Sequence, residues 1–166
     1  MKNNRVYLAG PDVFFPDVSE ISSRLKKLCE NYGLEGVFPL DSVIKLEEQT
    51  TEEAKVRNGR RIYEGNLDLI RSSAAILANI SPFRGPSADP GTTFEMGFGK
   101  GLGLIVVGYT TQKTLYKDRV TPDGLMIEDF GMIDNLMIQG VTGDRIYETP
   151  EEAIIYLVNA LYTAIK

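Results

Sequence analysis

Apolar positions along the chain change period repeatedly, and each change predicts an element. Val6-Tyr-Leu-Ala9 is a short apolar run closed by Gly10-Pro11, the pattern of a buried strand ending in a sharp turn. From Ser19 to Tyr32 apolar residues recur at Ile21, Leu25, Leu28 and Tyr32, the helical period, and Gly33 stops it. Val37-Phe38 before Pro39 predicts a second, short strand. Thr50 or Thr51 is placed to cap a long helix reaching Ser73, with Ile62, Leu67 and Ile70 inward. Ala74 to Ile80 is nearly all apolar, as a strand covered on both faces should be. Thr92 is expected to open another helix, Leu104 to Gly108 to form a fourth strand, and Arg145-Ile-Tyr147 a short fifth. Thr149-Pro-Glu-Glu then starts a terminal helix, with Thr149 as cap and Pro150 at its first position. Residues 110 to 134 break the rhythm and read as a polar, irregular insertion.

Strand and helix alternate, which predicts a doubly wound, flavodoxin-like α/β domain with right-handed crossovers. The expected sheet has five strands, mostly parallel, in the order 2-1-3-4-5, with helices on both faces. A length of 166 residues suits one such domain over residues 1–166 with a full core. Ligands of these folds bind outside the carboxyl ends of the strands, where the strand order reverses, here between strands 1 and 3. Two loops leave those ends, residues 10–15 and 81–91, and both are rich in glycine and proline.

Charge and rare residues narrow the chemistry. The net charge is −5, from 18 basic and 23 acidic residues. That argues against a nucleic-acid surface, which needs a concentrated basic patch. Lys26-Lys27 and Arg60-Arg61 read as solvated helix faces. Histidine is absent, which excludes a Ser-His-Asp triad, a Cys-His pair and nearly every zinc site. Carboxylates, hydroxyls, amides and lysines remain. The single cysteine, Cys29, forms no internal disulfide and reads as a small buried hydrophobe. The first apolar run is too short for a signal-peptide core, and no segment has the length to span a membrane, so a cytoplasmic protein is expected.

Two carboxylates, Asp89 and Glu95, flank a tight Pro90-Gly91 turn. Thr92-Thr-Phe-Glu95 fits a capping box, in which Glu95 reaches back to a free backbone N–H. It also fits a nucleophile held ionised by a helix N-terminus. Asp89 reads either as an Asp-Pro-Gly turn residue or as an acceptor for a substrate hydroxyl. Gly97, Gly99, Gly101 and Gly103 lie inside or after the helix, where close packing on the sheet explains them better than a phosphate loop. Tyr7 belongs to an apolar strand, and its hydroxyl needs a partner if buried; a carboxylate at the sheet edge is one candidate.

Four segments together resemble the nucleoside 2-deoxyribosyltransferase family: Tyr7-Leu-Ala-Gly-Pro11, Ala78-Asn-Ile-Ser-Pro-Phe-Arg-Gly85, Asp89-Pro-Gly-Thr-Thr-Phe-Glu95-Met-Gly97 and Asn135-Leu-Met137. They run in the family's order and span most of the chain. The resemblance implies that Glu95 attacks C1′ of a 2′-deoxynucleoside and forms a covalent deoxyribosyl ester, which a second base then displaces. It implies that Tyr7 orients Glu95, that Asp89 accepts the sugar 5′-hydroxyl, and that Gly10 and Phe14 line the pocket, with Phe14 stacking on the base. It further implies that Asn135 reaches the same hydroxyl from a neighbouring subunit, making at least a homodimer. Neither metal nor cofactor is implied; 2′-deoxynucleosides and free nucleobases are the expected partners. At the position that is Asp in many members this chain has Asn66, which hydrogen-bonds a base edge but cannot donate a proton as an acid. Asp68 lies about 200° further around a helix and faces elsewhere. Two rival readings are a hydrolase of 2′-deoxynucleoside 5′-monophosphates and a non-catalytic nucleotide-sensing domain. Asp89 disfavours the first, because a carboxylate repels a 5′-phosphate.

Overall fold

In a computed structural model describing residues 3–42 and 44–163, strands and helices alternate as the pattern predicts. They are β1 (Arg5–Ala9), α1 (Val18–Asn31), β2 (Glu35–Val37), α2 (Glu52–Arg71), β3 (Ala75–Asn79), α3 (Pro90–Gly101), β4 (Ile105–Tyr109), α4 (Tyr116–Arg119), α5 (Leu136–Thr142), β5 (Ile146–Tyr147) and α6 (Pro150–Thr163). The sheet runs β2-β1-β3-β4-β5, and each pairing is parallel.

The two-residue period of the strands sorts the core into two layers. Val6, Leu8, Ala75, Leu77 and Val107 face α1 and α6 and bury Leu25, Cys29, Ile154 and Leu157. Tyr7, Ala9, Ile76, Ala78 and Val106 face the opposite way, against Ile70 of α2 and Met96 of α3, with Ile138 and Val141 of α5 at the margin. Cys29 is fully buried, as expected of it. The ends of the elements follow local chemistry. Gly33 takes the left-handed conformation, φ 74°, just beyond α1. Thr51 caps α2 by accepting from Ala54 N. Thr149 and Glu152 form a reciprocal capping box on α6.

The structure departs from the sequence pattern in several places. Phe38 falls outside β2 and opens a 3-10 turn over Pro39–Asp41, because Pro39 has no N–H to extend a ladder. Leu67 and Ile70 are buried, but Ile62 is 40% exposed and lines a cleft instead of the core. Helix α5 was not expected; it is short and carries Gly140 in its middle, which blurs its apolar period. Of the four clustered glycines, Gly99 alone packs on the sheet, where a Cβ would collide with Ile76. Gly97 and Gly101 have open space around them, and Gly103 takes a left-handed φ of 82°. No described helix is long and apolar enough to cross a membrane.

Candidate active site

The site lies at the carboxyl ends of β1 and β3, where the strand order reverses. The β1 loop is drawn against β3 there. Asn79 Nδ2 donates to both carboxylate oxygens of buried Asp12, at 3.1 and 3.3 Å, while its Oδ1 accepts from Ser81 N at 3.1 Å. Gly10 passes so close that a Cβ would meet Asp12 Oδ2 at 2.5 Å and Asn79 Cβ at 2.9 Å. Glycine is required by this approach. Burial pushes the Asp12 carboxyl above its ordinary range, partly offset by the Asn79 hydrogen bond. A 3-10 turn over Pro11–Phe14 follows and presents Val13 and Phe14 to the cleft.

The two acids of the β3 loop take different positions from those the local sequence suggests. Helix α3 begins at Pro90, and Asp89 is its cap. Asp89 Oδ2 accepts from Thr92 N at 2.9 Å and from Thr92 Oγ1 at 3.2 Å, so the cap uses Oδ2 and not Oδ1. Thr92 is therefore inside the helix, and the Thr92–Glu95 capping box does not form. The sequence carries the signal for this: Asp-Pro before a helix is the same cap-then-Pro arrangement read at Thr149-Pro150. Glu95 is the sixth residue of α3, in its second turn, beyond reach of the helix-terminal N–H groups. Instead its Oε1 accepts the Tyr7 hydroxyl at 2.6 Å.

That contact has electrostatic consequences. Burial pushes the Glu95 carboxyl up to about 7; the Tyr7 hydrogen bond pulls it down, and the charge of Asp89 pushes it further up. Burial, followed by the Glu95 charge and hydrogen bond, holds the Tyr7 hydroxyl far above its ordinary range, so Tyr7 stays a donor. Tyr7 is fully buried beneath the site.

A cleft of about 370 Å³ opens above Glu95, within the usual span of small-molecule sites, about 300–1,000 Å³. Gly10, Phe14, Asn66, Asp89 and Glu95 line it together, with Pro39, Leu40 and Ile62 as an apolar wall. Among the described residues lining it there is no lysine or arginine. Asn66 is half-buried, and its Oδ1 is fully buried without a hydrogen-bond partner. Asp68 faces solvent and pairs with Arg71, as the helical angle requires. Phe14 stacks on Phe83 with centroids 5.4 Å apart. The Arg84 guanidinium lies 5.0 Å from the Phe14 ring and 4.8 Å from Phe83.

Asn135 does not join this group. It lines a second cleft of about 430 Å³ with Thr93, Phe94, Met96, Gly97 and Met137. Helix α3 thus contributes to both clefts, with Thr92 and Glu95 in one and Thr93 and Phe94 in the other. Asn135 caps α5 through Met137 N and donates to Glu128 Oε1 at 2.7 Å. Sequence reasoning missed Asp12, Asn79 and Thr92, which hold the site's loops, and the cleft wall of Leu40 and Ile62. Asp12 and Asn79 are partners from opposite ends of a long stretch of chain, so no local pattern marks them.

Known proteins give a consistent picture. An uncharacterised protein of Schizosaccharomyces pombe is 28% identical over 161 residues, 81% of this chain and 75% of that protein. The structure of a 2-desoxiribosyltransferase from Leishmania mexicana is similar at 29% identity and a TM-score of 0.73, covering 94% of this chain and 97% of that one. A 2-deoxyribosyltransferase from Bacillus psychrosaccharolyticus, at 20% identity over 95% of both chains and a TM-score of 0.58, shares the fold. The family model for nucleoside 2-deoxyribosyltransferases matches residues 6–137, which takes in Tyr7, both site loops and Asn135. By that match, the chain belongs to the nucleoside 2-deoxyribosyltransferase family.

Proposed function

We propose that this chain transfers the 2-deoxyribosyl group between nucleobases, with retention, through a covalent ester on Glu95. The observation that carries this reading is the Tyr7–Glu95 pair at the floor of the cleft. Glu95 Oε1 is held by the Tyr7 hydroxyl, which leaves Oε2 to attack. Oε2 bonds to C1′ of the sugar, the C1′–N bond breaks, and its electron pair leaves on the base nitrogen. Asn66 is an amide and not an acid, so water supplies the proton to the leaving base. A second base then attacks C1′ with its nitrogen lone pair and gives up its N–H proton to water, the ester bond breaks, and Glu95 returns as a carboxylate. Two inversions give net retention. The positive charge developing at C1′ is stabilised by a carboxylate that burial has partly shielded from water.

The remaining cleft residues divide the substrate. Asp89 keeps Oδ2 on the helix and offers Oδ1 to the sugar 5′-hydroxyl. The buried, unpartnered Oδ1 of Asn66 accepts an N–H from the base. Phe14 provides a stacking face for the base, backed by Phe83. Asn135 opens onto the other side of α3, where half-exposed Phe94 and exposed Met137 flank it. This placement supports a second copy of the chain seated there, with Asn135 completing the copy's site.

A cleft lined by Asp89 and, among the described residues, by no lysine or arginine favours a free nucleoside over a 5′-monophosphate. Mass spectrometry of the enzyme mixed with a 2′-deoxynucleoside tests the mechanism, with a deoxyribosyl adduct on Glu95 as the expected result. An adduct elsewhere, or cleavage of the 5′-monophosphate alone, would overturn it.

A further inference from the structure

Asp134 is almost wholly buried, at 2% exposure, yet it lies outside the cleft. Its Oδ1 accepts from Ser87 Oγ at 2.5 Å and from Asn135 N at 2.7 Å. Its Oδ2 accepts from Ala88 N at 3.0 Å and sits 3.8 Å from Arg119 Nη2. Arg119 is itself a buried cation, with its side chain 10% exposed. Its Nε donates to Pro86 O and its Nη1 to Thr114 O, both at 2.8 Å. Nη2 has no hydrogen bond and is held by the ion pair alone.

Pro86, Ser87 and Ala88 are consecutive, and Asp89 is the next residue. A buried ion pair is a weak source of net stability, since desolvation offsets most of the attraction. A buried polar network with both carboxylate oxygens engaged does fix geometry, because few arrangements satisfy its groups. The backbone entering Asp89 is fixed on one side by this network and on the other by the α3 cap. The carboxylate at the cleft is therefore aimed by residues it does not touch.

We infer that Asp134 and Arg119 are positioning residues that aim Asp89 at the sugar 5′-hydroxyl and so set the preference for a substrate carrying that group. The inference rests on the proposed role of Asp89. Asp134→Asn removes the charge and turns an N–H towards a group that was donating, which loosens the grip on Ser87 and Ala88. Ser87→Ala removes one of the bonds and leaves the buried pair in place.

The test compares base exchange on a 2′-deoxynucleoside with exchange on its 2′,5′-dideoxy counterpart, reading the ratio of the two kcat/KM values. The wild type should favour the 5′-hydroxyl by at least about a hundredfold, since a site built for a hydroxyl rejects an analogue lacking it. Asp134→Asn should shrink that ratio at least about tenfold, and Ser87→Ala, which removes one bond and leaves the Ala88 bond and the ion pair in place, about threefold. Equal losses on both substrates would make the network a purely structural support and overturn the inference. An unchanged ratio in Ser87→Ala would also overturn it, and this variant serves even where Asp134→Asn fails to fold. A wild type that exchanges bases without preferring the 5′-hydroxyl would refute the role given to Asp89. A wild type with no exchange at all would refute the proposed function itself.

Discussion

The substitution Glu95→Gln should make the protein more stable and catalytically inert, and the stability gain should depend on pH in one direction. The amide of the variant keeps the shape and still accepts the Tyr7 hydroxyl that Oε1 accepts at 2.6 Å, but it has no charge to bury. The folded-state carboxyl titrates at about 7, against an ordinary value of 4.5. A carboxyl raised in this way binds its proton more tightly folded than unfolded. Its contribution to stability is full below pH 4.5 and is lost as pH rises through 7. That shift amounts to about 3 kcal/mol, an upper figure because the group is half-buried and partly screened. The two proteins should have equal melting temperatures at pH 4, and the variant should melt up to about 5–10 °C higher at pH 8. Groups common to both cancel in the difference, so differential scanning calorimetry across this range isolates Glu95. Base exchange by the variant should fall at least about a thousandfold, as expected when a nucleophile is lost. A variant that is less stable at pH 8, or one that keeps exchange activity, would refute the reasoning. Either result would return Glu95 to the role of a structural side chain.

The same titration predicts that kcat/KM of the wild type rises tenfold per pH unit and levels off near pH 7, since only ionised Glu95 attacks. Tyr7→Phe removes the bond that pulls Glu95 down, so the inflection should move above pH 7 and kcat/KM should drop about tenfold to a hundredfold. An inflection that stays put would separate Tyr7 from Glu95 ionisation. Asp89→Ala should cost about 1 kcal/mol through the lost α3 cap, whereas Asp89→Ser should keep the cap and most of the stability. Both should lose exchange on a 5′-hydroxy substrate, and an active Ser variant would confine Asp89 to capping. Gly10→Ala forces a methyl against Asp12 and Asn79, and thermal melts should register a loss of about 1–3 kcal/mol, as for overpacked cores.

How far the sequence revealed the fold depended on whether the information was local. β1 and β3 are apolar runs bounded by turns, and α6 carries its own capping box, so each was legible from neighbours in sequence. The sheet order followed from alternation and crossover handedness. Helix α5 was missed because seven residues with a central glycine carry little period. Ile62 was misplaced because a helical stripe continues past the end of the sheet, and a residue there faces the cleft. The Asp12–Asn79 tie and the bonds from Ser87 and Ala88 to Asp134 join distant segments, which no window of sequence contains.

The roles of the two acids show why local reading could not separate them. Asp89 and Glu95 both stand near the start of a helix with free N–H groups to satisfy, and one carboxylate suffices for the cap. Pro90 decides the competition. Its fixed φ and missing N–H place it at the first helical position, which makes the residue before it the cap. Asp89 takes that place, and Glu95 is released from the backbone one turn further on. There its Oε1 accepts from a hydroxyl rising from the sheet beneath. Had Glu95 bonded the helix terminus, its carboxylate would be well stabilised, titrating low, and correspondingly weak as a nucleophile. Buried and left with Tyr7, it titrates about where a cell's pH lies. The proline that starts the helix is thus what leaves a carboxylate in the cleft free of the backbone, as the proposed attack on C1′ requires.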